Sequence, residues 1–173
     1  MIRYFIFYSF LFMLFTSCEE EKKEKPFILD WTKEQSTNLN ERLSREEDIR
    51  IRLYLKQREN WNITETGSGL RIWVYEEHDG PTAKEYDRVD VKFEVRLLND
   101  SILYKTEVGE VSTFKVDKSD IETGVMEGIK YLSEGDKAKL IIPSHIGHGL
   151  LGDFRKIPPL EVLVIDLELV KIY

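Results

Sequence analysis

Three side chains with reactive atoms crowd one glycine-rich stretch: Ser144, His145 and His148, within Pro143-Ser-His-Ile-Gly-His-Gly149. Two histidines three positions apart offer imidazole nitrogens to a metal, and His78 is the remaining histidine that could add a third ligand. A tetrahedral site also calls for thiolates or carboxylates at fitting spacing. The segment supplies none, so the pair reads as solvated loop residues and neither a metal nor any other cofactor is expected. Ser144 beside His145 is no nucleophile–base pair either, because neighbours in sequence do not place their reactive atoms within hydrogen-bond reach. Chemistry that needs a triad or a metal therefore lacks its residues.

The surrounding elements show what this stretch is built into. Val125, Ile129 and Leu132 recur at helical spacing, which predicts a short amphipathic helix with Thr123 as its N-cap and Gly135 as its stop. Ala138 to Ile142 is an apolar run ended by Pro143, as suits a buried strand. In the last strand Leu163, Ile165, Leu167 and Leu169 share one parity opposite Asp166 and Glu168. Upstream, Val89, Val91, Phe93, Val95 and Leu97 alternate with Asp90, Lys92, Glu94 and Arg96, a half-buried strand with Phe93 facing inward. Shorter strands are predicted over Leu70–Tyr75, Ile102–Tyr104 and Val111–Val116, with turns at His78–Pro81 and Asn99–Asp100. The expected class is α+β, a curved antiparallel sheet wrapped around one short helix, with an extra N-terminal helix.

From Glu127-Gly128 onward, Gly135-Asp-Lys-Ala-Lys-Leu-Ile-Ile-Pro-Ser, the glycine loop and Ile157-Pro-Pro before the closing strand resemble, in order and spacing, the FKBP-type peptidyl-prolyl isomerases. The resemblance covers about Leu70 to Ile172. It implies catalysis of rotation about X-Pro bonds in proline-containing polypeptides, with no cofactor. That rotation crosses a barrier of about 18–20 kcal/mol. Its transition state is a twisted amide with a less polar carbonyl, so a dry apolar pocket favours it without a nucleophile or general base.

Carried over position by position, the resemblance implies a pocket whose catalytic residues are Phe93, Tyr104 and His148. Phe93 stands for a tyrosine and lacks its hydroxyl. Leu103 and Tyr104 stand for a phenylalanine and an aspartate, so the carboxylate of the family's pocket is expected to be absent from that position. His148 stands where a tyrosine would bond the substrate carbonyl. The substrate-binding wall is Leu103, Phe114, Ile121, Glu122, Val125, Ile157 and Ile165, with Val125 in place of the floor tryptophan and the Glu122 backbone N–H as a donor. Two functions follow from so altered a lining. One is a weak isomerase assisting the folding of envelope proteins; the other is a catalytically silent binding or chaperone module of an envelope or gliding-motility complex.

Composition and the N-terminus supply the setting. The chain has 173 residues, a net charge of −7 and a single cysteine, so it has no internal disulfide, and without a basic stripe no nucleic-acid partner is expected. Tyr4 to Phe15 is a twelve-residue apolar run behind Arg3, too short to span a bilayer and right for a signal peptide. Phe15-Thr-Ser-Cys18 resembles a bacterial lipobox, with phenylalanine where an aliphatic residue is usual, which implies lipid attachment at Cys18. Glu19 to Lys25 holds only acidic and basic residues and reads as a spacer. Ser44-Arg-Glu-Glu47 is a capping box opening a helix to about Glu59, whose Ile49, Ile51, Leu53 and Leu55 form no single stripe; Phe27, Trp31 and Trp61 would staple it. The segments are thus 1–17 signal peptide, 18–43 anchor cysteine and charged linker, 44–66 helix and connector, and 67–173 the FKBP-like domain. This architecture is similar to the gliding-motility-associated lipoprotein isomerases of Bacteroidetes and implies an envelope protein lipid-anchored to the outer membrane, facing the periplasm or the outside. Oligomeric state is not encoded in any feature of the sequence.

Overall fold

The computed structural model describes residues 32–173; the apolar leader, Cys18, Phe27 and Trp31 lie outside the described residues. Within them run helix α1 (Lys33–Lys56), strands β1 (Thr64–Glu65), β2 (Arg71–Glu76), β3 (Arg88–Leu97), β4 (Ile102–Lys105) and β5 (Ser112–Lys115), and helix α2 (Thr123–Ile129). Strand β6 (Lys137–Ile142), a single 3-10 turn at Ser144–Ile146 and strand β7 (Leu163–Ile172) complete the chain. All seven strands pair antiparallel in one curved sheet, in the order β1-β2-β6-β7-β3-β4, with β5 also on β3. This is the α+β architecture expected. No helix among the described residues is long and apolar enough to cross a membrane.

Strand parity explains the core. Ile72 lies opposite Leu140, Leu140 opposite Ile165, Ile165 opposite Val95, and Val95 opposite Tyr104, so one row of side chains crosses five strands on the inner face. The inner residues of β7 that shared a parity in the sequence, Leu163, Ile165, Leu167 and Leu169, are all buried. Helix α2 lies on this face with Val125, Met126 and Ile129 buried. Gly124 and Gly128, one turn apart, allow the approach: a Cβ at Gly124 would stand 2.6 Å from Ile142 Cγ2, and one at Gly128 2.7 Å from Leu140 Cδ1. Leu132 is buried as expected but sits past the helix end. Two boundary expectations are corrected. Thr123 is the first helical residue rather than the cap; Glu122 occupies the cap position and makes no side-chain capping bond, because its carboxylate is engaged by His148. Gly135 does not end the helix, which stops at Lys130, but turns the chain into β6 at φ 99°.

Helix α1 is also longer than the sequence suggested. It starts at Lys33 instead of near Arg45, and Ser44 lies inside it. The added residues are mostly good helix formers, and i,i+4 pairs between Glu41 and Arg45 and between Arg42 and Glu46 run across Ser44, so the capping box has no end to cap. One stripe, Glu47, Ile51 and Tyr54, is buried, whereas Ile49 and Leu53 face outward. Ile51 and Tyr54 pack on the outer face of the sheet with Ile141, Val162 and Val164, so β6 and the start of β7 are buried on both sides. Trp61 stacks on Trp73 at 4.5 Å between ring centres and meets Tyr54 edge-on at 6.0 Å. The buried guanidinium of Arg71 bonds Asp48 of α1 at 2.5 Å, Glu65 at 3.1 Å and the Gly69 carbonyl at 2.8 Å, which leaves it paired rather than stranded.

The seating of α2 makes a testable claim. Gly128→Ala is expected to destabilise the fold by about 1–3 kcal/mol, because the new methyl must displace Leu140. Gly67→Ala, whose Cβ would meet nothing within 4 Å, leaves the urea midpoint nearly unmoved. Equal shifts at both positions would refute the close approach.

Candidate functional site

Helix α2 covers part of the inner face, and beyond its N-terminus a cavity of about 720 Å³ opens over β3, β5 and β7. That is within the ordinary range for a ligand site. Strand β3 contributes Phe93 and Val95, β5 contributes Phe114, and β7 contributes Ile165 and Leu167. The entry to α2 brings Ile121, Glu122 and Val125, and the loop after the 3-10 turn brings His148 and Ile157. Tyr104 completes the wall from β4. The structure therefore gathers every predicted pocket residue except Leu103. Tyr104 is paired with Val95 and both face the cavity; Leu103, its neighbour in the strand, is half-buried against the core instead.

Hydrogen bonds frame the mouth. His148 Nε2 lies 2.8 Å from Glu122 Oε1, joining the loop to the start of α2. His145 turns the other way, its Nε2 2.9 Å from the Ser68 carbonyl oxygen, so the two histidines serve different parts of the chain. Ser144 is buried; its backbone N–H donates to Glu47 of α1 at 3.3 Å and its carbonyl accepts from Gly147 and Gly149. Among the described residues no group of three or more His, Cys, Asp or Glu could hold a metal ion.

The aspartate missing from β4 has a counterpart the sequence reading did not foresee. Besides Glu122 and Asp120 at the entry to α2, Asp153 is supplied by the loop and reaches Tyr104 of β4. Its Oδ1 accepts the backbone N–H groups of Arg155 at 2.8 Å, Lys156 at 2.9 Å and Ile157 at 2.8 Å, and its Oδ2 accepts the Tyr104 hydroxyl proton. Burial pushes the Asp153 carboxyl up, but these four donors outweigh it and hold the group well below the usual carboxylate range. The same bond, with burial, pushes the Tyr104 hydroxyl above its ordinary value. The loop's path also requires glycine at 152, where φ is +66° and a Cβ would stand 2.1 Å from the Ile157 carbonyl oxygen. Gly152-Asp153 could have been read as a turn from its residue types. Its contact with Tyr104, 49 positions away, could not. Arg155, Asp120 and Ser112 on the rim were missed for the same reason.

A sequence model described as FKBP-type peptidyl-prolyl cis-trans isomerase matches residues 80–170, just over half the chain. The protein belongs to that family. A probable FKBP-type peptidyl-prolyl cis-trans isomerase FkpA of Neisseria meningitidis is 32% identical over 111 residues, 64% of this chain and 40% of the relative. An FKBP-type 22 kDa peptidyl-prolyl cis-trans isomerase of Escherichia coli is 30% identical over 111 residues, 64% of this chain and 53% of its own length. The chain thus spans about half or less of the curated relatives it matches. Among solved structures, FkpA from Escherichia coli superposes with a TM-score of 0.62 at 25% identity, over 80% of this chain and 66% of that one. A peptidyl-prolyl cis-trans isomerase from Pseudomonas syringae gives 0.63 at 22% identity, over 76% and 94%, and speaks to the fold alone.

A carboxyl held below its unfolded-state value adds stability at pH above that value and loses it as the pH falls towards its folded midpoint. The side-chain carboxyl of Asp153, followed by NMR, should accordingly titrate below about 3.9, the unperturbed aspartate value. Asp153→Asn should remove part of the acid-induced loss of stability. An unshifted midpoint would show that the loop bonds are not formed in solution.

Proposed function

We propose that this chain is a peptidyl-prolyl cis-trans isomerase acting on proline-containing polypeptides of the cell envelope. The observation that carries the reading is an open apolar cavity with Phe93, Phe114, Val125 and Ile165 on its walls, unfilled by its own lining. A prolyl ring seated there leaves water, and the twisted amide, less polar than its planar ground state, is favoured by the dry surroundings. The Glu122 backbone N–H, which takes no partner among the described residues, is the candidate donor to the bound peptide. His148, held by the Glu122 carboxylate, forms the polar edge of the mouth, and Phe93 is the aromatic wall. In this reading Phe93, Tyr104 and His148 act on the reacting bond, and Ile121, Ile157, Phe114, Val125 and Ile165 hold the ring. Leu103 takes no part.

The setting we propose is a lipid-anchored envelope protein of the gliding-motility-associated kind. The leader over 1–17, the lipobox-like Phe15-Thr-Ser-Cys18 and the charged stretch after it support this placement. Fatty-acid labelling of the full-length protein should be present and should vanish in Cys18→Ala; labelling that persists would refute attachment at that residue.

Protein lacking residues 1–17 should accelerate cis-to-trans conversion of an X-Pro peptide in a protease-free assay. Phe93→Ala and His148→Ala should each lower the catalysed rate on the order of 100-fold, through lost positioning and lost polar contact. A flat rate with retained peptide binding would make the domain a binding module and overturn the catalytic reading.

A further inference from the structure

The cavity has two walls that a loop carboxylate joins. On one side stands β4 with Tyr104; on the other runs the loop that carries His148 and Ile157. Asp153 Oδ1 gathers three consecutive backbone N–H groups and so fixes the loop's own turn, while Oδ2 reaches across to the Tyr104 hydroxyl. A second latch lies beside it: Lys156 Nζ donates to the Leu103 carbonyl at 2.9 Å and sits 4.9 Å from the centre of the Tyr104 ring. The loop is strained where these bonds form, with Phe154 at φ +57° between Asp153 and Arg155. A non-glycine residue is kept in that conformation when its surroundings over-determine it. The bond also decides a direction. Because the phenolic proton is given to Asp153, the Tyr104 oxygen meets the cavity only as an acceptor.

Resting on the isomerase reading above, we propose that Asp153 is the positioning residue of the cavity. It acts through Tyr104, setting the distance between β4 and the loop and committing the Tyr104 hydroxyl proton away from the substrate. Tyr104 and Asp153 then work as one unit, and neither contributes without the other.

Asp153→Asn isolates this role. Its side-chain carbonyl can still accept the three loop N–H groups, so the turn survives, but its amide hydrogens face Tyr104 and return the phenolic proton to the cavity. The full-length chain in detergent would be compared as wild type, Asp153→Asn, Tyr104→Phe and the double variant, using an Ala-Leu-Pro-Phe peptide. Each single variant is expected to lower kcat/KM about tenfold, and the double variant no further, as groups acting together are non-additive. Amide exchange at Ile157 should stay protected in Asp153→Asn, which separates positioning from collapse of the loop. Wild-type rates in either single variant, or single effects that multiply in the double, would overturn the proposal. Should the wild type turn over no X-Pro peptide, the isomerase reading falls by itself. The same cycle is then read as Kd from anisotropy of the labelled peptide, with the same non-additivity expected, and additive effects or no binding would overturn the Asp153 role.

Discussion

Helix α2 is seven residues long, about 10 Å, and it lies on a sheet whose main path is six strands wide, roughly 24 Å at ordinary strand spacing. It is drawn tightly onto β6 by Gly124 and Gly128, whose missing side chains let its backbone approach Ile142 and Leu140. A helix so short and so placed does not fill the space over β3 and β5, where Phe93 stays only half-buried. Those strands nonetheless present Val91, Phe93, Val95 and Phe114 inward, because their other faces meet water. The cavity is the space that the helix leaves open between these strands and the loop.

An apolar hollow stays open only where its rim resists collapse. Here the rim is polar and bonded to two walls, His148 to Glu122 on one, and Asp153 with Tyr104 and Lys156 with the Leu103 carbonyl on the other. Packing elsewhere supports that loop from behind. Glu47 of α1 accepts the N–H of Ser144 at the point where the loop begins, and α1 itself is fixed by Ile51, Tyr54 and the Asp48–Arg71 pair. The N-terminal helix therefore contributes to the site's geometry without touching it. This division suits the catalysis by desolvation proposed for it, which requires a rigid dry surface rather than a reactive side chain.

The sheet was legible because alternation is a local signal. Leu163, Ile165, Leu167 and Leu169 had to share a face, and Phe93 had to point the same way as Val91 and Val95. Helix limits were less legible: Ser44 with Glu47 has the chemistry of a cap, yet ion pairs on both sides of Ser44 carry the helix through it. Leu103 failed as a pocket residue for a register reason. The neighbouring bulge and the Val95–Tyr104 pairing award the cavity-facing place to Tyr104.

What the chain's residues determined alone was the element types and the buried face of each strand, since each depends on periodicity within a few residues; the positions lining one hollow came from the resemblance to the FKBP-type family. The open volume of that hollow and the origin of its carboxylate were decided only by folding. A substitution at one position of a strand removes a carboxylate from the sequence pattern, but a loop 49 residues away restores one in space. Hydrogen bonding depends on distance and angle across the fold, and sequence separation carries neither.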